Sequence, residues 1–218
     1  MSNADHLLDS YLRSRYRILF YAVLVTLISG PILSALKYSG TFLEMFVAAS
    51  LLAAILPIAS VKKWPYILPA MMLLCLARPA TAWLARPVIS EITLGVWTII
   101  GLIAAASAIR FATRATRISG EHVYAALSAY LLAGLCFGVL YWVIEELHPG
   151  TFALSGKFSQ TGAIYFSFIT LATVGYGDIA PRGDIARGIA IVEGIGGQLF
   201  LAVLVARLIS LYTRPSDE

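Results

Sequence analysis

Thr173-Val174-Gly175-Tyr176-Gly177-Asp178 decides how the rest of this chain is read. Two glycines alternate with larger residues, directly after the apolar run 164–172. Glycine reaches backbone angles closed to other residues, so alternating it with Val174 and Tyr176 lets consecutive carbonyls point the same way. A row of carbonyl oxygens can replace the water shell of a dehydrated K+ ion, and four such loops around one axis make a ring at each level. The Thr173 hydroxyl adds one more oxygen layer at the inner end. Val174 and Tyr176 then turn their side chains away from the axis, where they can pack as a cuff. The bland alternative is a glycine-rich turn between two helices. A short apolar helix before the hexamer and a long one after it argue against that.

Composition puts this hexamer in a membrane. Of 218 residues, 59% are hydrophobic and 13% charged, where a soluble domain carries about a quarter charged residues. The mean hydropathy of +0.82 points the same way. The net charge of +4 does not suggest a nucleic-acid partner, because the basic residues sit at segment ends and not in a patch. Cys75 and Cys136 lie inside apolar runs and read as small buried hydrophobes, not as a disulfide or a metal pair. Residues 1–4 look like a cloning remnant, and no cleavable signal peptide is expected.

A spanning helix takes about 20 apolar residues. Residues 18–36 supply one and 42–61 a second, with Glu44 at its outer start; Lys62, Lys63 and Trp64 make a tight turn. The stretch 65–85 is the weakest, broken by Arg78-Pro79. Residues 88–109, with Glu91 near the start, are followed by Arg110, Arg114 and Arg117. A fifth segment, 122–144, ends at Glu145-Glu146; 159–172 is too short to span; 184–211 is the sixth. Ahead of them, 5–17 carries Arg13, Arg15 and Arg17 and reads equally as an interfacial helix or a solvated tail. If all six segments span, the N-terminal arginines, Lys62-Lys63, the Arg110 group and Arg207/Arg214 fall on one side, which the positive-inside rule makes cytoplasmic. Without the weak third span that agreement is lost, so its span is expected to be shortened or kinked by proline. Arg78 is read as snorkelling from the outer third, with Glu44 and Glu91 as partners.

The hexamer resembles the selectivity filter of potassium channels, and 121–210 is similar to that family's outer helix, re-entrant pore helix, filter and inner helix. The resemblance implies an all-α membrane protein, with six transmembrane helices plus a re-entrant pore helix and a filter loop, assembling as a homotetramer because one chain has one filter. It implies K+ on Thr173, Val174, Gly175, Tyr176 and Gly177, no other cofactor, and a multi-pass plasma-membrane protein with both termini cytoplasmic. The parts are a 1–17 segment, an 18–117 four-helix scaffold similar to a degenerate voltage-sensor domain, a 118–212 pore domain and a 213–218 tail. No regulatory domain is expected after the sixth segment.

The pore helix is expected at 164–172, with Tyr165, Phe166, Phe168 and Ile169 packing it and Ser167 and Thr170 satisfying local backbone groups. Two departures from the family pattern matter. Ala172 stands where Thr is frequent, which removes a hydroxyl at the cavity roof. Ile169 stands where some members pair an acidic residue with the aspartate after the filter. Asp178 is then expected to take a hydrogen bond from Tyr165, one helical turn earlier; otherwise it is solvated at the outer mouth. In the sixth segment, Gly197 falls at the family's gating hinge, while Gly194 suits close approach to the pore helix. Glu193 is an acidic group in an apolar helix, read either as functional or as holding the filter loop. Gln198 lines the cavity, and Ala202, Val205 and Ile209 form an apolar constriction on the same face.

Voltage gating would need several charges inside the field per subunit. Arg110, Arg114 and Arg117 follow the fourth segment and not its interior, so they are expected at the interface. The reading is a K+-selective channel, not strongly voltage-gated. A voltage-gated channel and a non-conducting channel-like subunit are the alternatives. An enzyme is rejected, because His6, His122 and His148 form no metal-ligand pattern and no buried carboxylate pair appears.

Overall fold

A computed structural model of the chain describes residues 3–36, 47, 49, 50, 54, 87–113, 119–154 and 156–212. Five helices carry most of them: α1 (Asn3–Ala35), α2 (Pro87–Thr113), α3 (Gly120–Leu147), α4 (Gln160–Leu171) and α5 (Asp184–Tyr212). Two two-residue strands, β1 (Phe152–Ala153) and β2 (Ala180–Pro181), flank α4. Among the described residues, four stretches are long and apolar enough to cross a membrane: Ser14–Leu33, Leu94–Thr113, Gly120–Leu147 and Asp184–Arg207. They correspond to the expected first, fourth, fifth and sixth segments. The expected span 65–85 and nearly all of 42–61 lie outside the described residues, as do Glu44, Lys62, Lys63, Cys75, Arg78, Arg114 and Arg117. Val47, Ser50 and Ala54 are described, helical and buried.

Each helix buries one stripe of residues, although its outward face is also apolar. In α1, Tyr16, Leu19, Val23, Thr26 and Gly30 recur every three or four residues and face inward. In α2 the stripe is Leu94, Trp97, Thr98, Gly101, Ala104, Ala105 and Ala108, and its second half is small enough for close packing. Both pack on α3, and α2–α3 is the most extensive contact among the described elements. Polar groups on these faces find partners: Thr26 and Ser50 hydroxyls lie 2.6 Å apart, and Thr98 Oγ1 donates to the Leu94 carbonyl at 2.9 Å.

Two element boundaries differ from expectation. The basic 5–17 segment is not separate from the first span, since α1 runs unbroken from Asn3 through the arginines. Nothing between Asp5 and Gly30 breaks a helix, and Tyr16 anchors that half by stacking on Phe111 of α2 at 4.6 Å. The re-entrant helix starts at Gln160, four residues before the expected 164, because Ser159 caps it by accepting the Gly162 N–H at 3.1 Å.

The helix directions follow from contacts. Gly138 of α3 lies against Ile164, and Gly134 lies against Phe168, so α4 runs back down α3. Tyr141 meets Glu193 and Tyr130 stacks on Phe200, so α5 also descends antiparallel to α3. The end of α3 near Glu121 and His122 gathers Tyr16, Arg15 and Phe111. Its far end, at Glu145, meets the loop that carries β1.

β1 and β2 pair antiparallel, Phe152 with Pro181 and Ala153 with Ala180. This tie closes the loop before α4 onto the loop after it. Beneath it, Phe152 stacks on Phe158 at 4.5 Å, and Tyr141 and Phe166 meet edge to face at 5.0 Å.

Candidate functional site

The stretch 173–178 retraces α4 in the opposite direction. Thr173 N–H donates to the Thr170 carbonyl at 2.9 Å. Val174 and Gly175 N–H groups both donate to the Ile169 carbonyl, at 2.8 and 3.2 Å. Farther along, Asp178 meets Tyr165, and Ile179 lies beside Gly162. The loop therefore climbs from the C-terminal end of α4 back to the β1–β2 end.

Its backbone alternates in hand. Thr173, Gly175 and Gly177 have φ of +56, +52 and +79°, while Val174 and Tyr176 stay on the ordinary side of the map. Alternation of this kind turns successive peptide planes the same way, N–H groups on one side and carbonyls on the other. The N–H side faces α4. For the two glycines this geometry costs little. For Thr173, β-branched and left-handed, it is a strained position of the sort that persists only where the surroundings hold it.

The surroundings do hold it. Gln198 Nε2 donates to Thr173 Oγ1 at 3.1 Å. The neighbouring Gly197 lies directly on the Leu171 carbonyl, so closely that any Cβ there would overlap it, and Leu171 Cδ1 is 2.9 Å from the same point. At Gly194 the nearest atom to such a Cβ is the Thr170 carbonyl oxygen at 3.8 Å, an ordinary contact. Close approach of α5 to α4 thus occurs at Gly197, not at Gly194 as expected. Which glycine meets the re-entrant helix depends on the rotation of α5, which its own composition does not reveal.

Glu193 is 1% exposed and has a partner for each oxygen. Tyr141 of α3 donates to Oε2 at 2.6 Å, and Ser167 of α4 donates to Oε1. Ser167 Oγ also lies 2.7 Å from the Gly134 carbonyl. The Ser167 hydroxyl therefore reaches two other helices, in place of the local backbone group expected for it. One carboxylate ties α3, α4 and α5 together, and its α4 partner Ser167 is two residues from Ile169, whose carbonyl anchors the loop. A buried carboxylate is tolerable only when bonded in this way.

Tyr165 is 38% exposed. Its phenol donates a hydrogen bond to the Asp178 carboxylate. Val174 and Tyr176 are 50% and 72% exposed in the single chain. Gln198, Ala202, Val205 and Ile209 share one stripe of α5, all exposed. Arg110 is exposed in the last turn of α2. Among the described residues no group of three or more His, Cys, Asp or Glu is placed to hold a metal ion; the candidate ligands are the carbonyls of the loop and the Thr173 hydroxyl.

Three structural residues escaped sequence reasoning. A Cβ on Gly138 would sit 2.6 Å from Ile164 Cα, and one on Gly134 2.8 Å from the Phe168 ring. Their spacing, glycine at i and i+4 in an apolar helix, was the available signal. Glu145 accepts the Gly150 and Phe152 N–H groups at 2.9 and 3.0 Å and shapes the loop leading to β1. No sequence pattern announces that pairing.

Comparisons with known proteins match part of the chain. A family model described as "Ion channel" matches residues 127–214. The inward rectifier potassium channel Kirbac3.1 of Paramagnetospirillum magnetotacticum is 35% identical over 91 residues, 40% of this chain and 28% of that protein. Protein LctB of Bacillus caldotenax is 30% identical over 100 residues, 43% of this chain and 74% of the relative. Two-pore potassium channel 3 of Arabidopsis thaliana is 26% identical over 104 residues, 45% of this chain and 21% of its own length.

Proposed function

The chain belongs to the potassium channel family, and from that premise we propose that four copies of it form a K+-selective pore for passive conduction. The observation that carries this reading is the loop itself. Left-handed Thr173, Gly175 and Gly177 alternate with Val174 and Tyr176, and the N–H side is tied to α4. That leaves one row of carbonyls per chain to face a shared axis, and four rows make the oxygen cages that replace water around K+. K+ sits on the oxygens of Thr173, Val174, Gly175 and Tyr176, with Gly177 turning the chain at the outer mouth.

The remaining residues take roles around that row. Glu193, with Tyr141 and Ser167, holds α4 in place behind the loop. Tyr165 and Asp178 brace its outer end. Exposed Val174 and Tyr176 support a fourfold assembly in which neighbouring copies cover them. Gly197 is both the packing contact on Leu171 and the hinge, and the Ala202–Val205 face narrows the inner end by dewetting. The filter mouth faces outside; both termini, with Arg15, Arg17 and Arg110, face the cytoplasm of the plasma membrane. Residues 18–117 act as a scaffold. The position of Arg110 in the last turn of α2 supports a pore that is not strongly voltage-gated.

The test is K+ flux into liposomes holding the purified protein, with Na+ as competitor and with Gly175→Ala and Tyr176→Ala. An added Cβ at φ +52° strains the loop whatever the space around it. We expect K+-selective flux from the unaltered protein and its loss in the Gly175→Ala protein. Flux that ignores the difference between K+ and Na+, or none at any potential or pH, would sink the proposal.

A further inference from the structure

The geometry points to Gln198 as a positioning residue for the innermost ion site, acting by locking the side chain of Thr173; this rests on the channel reading above. Thr173 is the one residue of the loop whose side chain, and not only its carbonyl, is a candidate ion ligand. A threonine rotating about χ1 exchanges its hydroxyl for a methyl group. At an ion site that exchange removes an oxygen and puts a hydrocarbon in its place.

Two features bear on which rotamer is kept. The left-handed backbone at φ +56° is foreign to a β-branched residue, whose χ1 preferences are tuned to ordinary backbone. The bond from Gln198 Nε2 to Oγ1 at 3.1 Å is lost if the side chain turns. That bond also occupies one of the two lone pairs of the hydroxyl oxygen, which leaves the other lone pair and the hydroxyl hydrogen for the two remaining directions. A cation on the axis takes the free lone pair, and the hydrogen is turned away. Gln198 so prepares the hydroxyl before the ion arrives.

The donor reaches Thr173 because of the residue before it. Only a glycine at 197 lets α5 lie on the Leu171 carbonyl, and that closeness brings residue 198 within a side chain's length of the loop. Gln198 is exposed in the single chain, so burial does not force the bond, and water competes for the amide. A chance contact of a cavity-lining side chain is the competing account, and it predicts no link between the two residues in function.

The two accounts part in a double-mutant cycle read by Ba2+ block. Ba2+ is close to K+ in radius with twice the charge, so it tests the oxygen cage harder than K+ does. Single-channel currents are recorded in planar bilayers with Ba2+ on the side of the α5 C-terminus, for the unaltered protein, Gln198→Leu, Thr173→Val and the double variant. A neutral hydrogen bond contributes about 1 kcal/mol. Gln198→Leu should therefore still conduct K+ while Ba2+ affinity falls about fivefold. In the Thr173→Val background the same change should shift block by less than about twofold, since no hydroxyl remains to position. Gln198→Asn, one carbon too short to reach, should behave as Gln198→Leu does, and it carries the test if Thr173→Val does not conduct.

Block unchanged by Gln198→Leu overturns the inference. So does an equal shift in both Thr173 backgrounds, or a Gln198→Asn protein that is blocked like the unaltered one. K+ conduction with any of these leaves the channel reading standing. Absence of K+ current from the unaltered protein removes that reading and this one together.

Discussion

A single methyl group separates the glycines that pack from those that do not. A Cβ at 138 would lie 2.6 Å from the Ile164 backbone, whereas at Gly95 it would meet nothing within 4 Å. Gly138→Ala must push α3 and α4 apart, and overpacking of this kind costs about 1–3 kcal/mol. Gly95→Ala should be neutral or stabilising by up to about 1 kcal/mol, from helix propensity alone. Thermal unfolding in detergent should come earlier for Gly138→Ala and hold or rise for Gly95→Ala; a drop of similar size in both would contradict the close-packing account. Glu193 gives a second contrast at this scale. Glu193→Ala strands the fully buried Tyr141 hydroxyl, a loss of about 1–3 kcal/mol. Glu193→Gln keeps an acceptor for Tyr141 and offers a donor to Ser167, so it should unfold nearer to the unaltered protein. Equal destabilisation by Ala and Gln would show that charge, not bonding, is what the site needs.

Among the elements, the β1–β2 pair depends on a helix end. Glu145, near the end of α3, holds the Gly150 and Phe152 N–H groups, and Phe152 is the residue that pairs with Pro181. Removing the carboxylate by Glu145→Ala should free both amides, with exchange faster by about tenfold for each 1.4 kcal/mol lost. Amides inside α4 should keep their protection, because that helix has its own cap at Ser159 and its own packing on α3. Faster exchange throughout α4 would mean instead that the loop, and not α3, supports the helix. The sheet was illegible beforehand, since two residues per strand are too few to show an alternating pattern. The helices were legible because hydropathy over a long segment is a local property.

At the scale of the molecule, α5 is the exception. Its spanning stretch is 11% buried within the chain, against 56% for α3, so most of its apolar surface must meet lipid or other copies. In a mild detergent the particle mass should equal four chains. The proposed ion cages also stabilise by mass action: a ligand at a hundred times its Kd adds about 2.7 kcal/mol to the state that binds it. Exchanging K+ for Na+ should accordingly lower the unfolding temperature of the assembly, and Gly175→Ala should abolish the difference. Identical unfolding in the two salts would count against selective cages, whatever the mass.

What residue order alone determined were the properties carried along one segment. Four of the expected spans recur among the described residues, and glycines at 175 and 177 stand where the backbone takes positive φ, because hydropathy and φ preference belong to single stretches. The Tyr165–Asp178 contact was legible too, because the two residues flank one loop; the other pairings between stretches were decided by tertiary structure. Gly197 and not Gly194 meets α4; Ser167 reaches Gly134 and Glu193; Gln198 bonds Thr173 from 25 residues away. Each of these depends on how two helices are rotated against each other. In apolar helices with little difference between faces, no single segment holds that information, and only packing them together sets it.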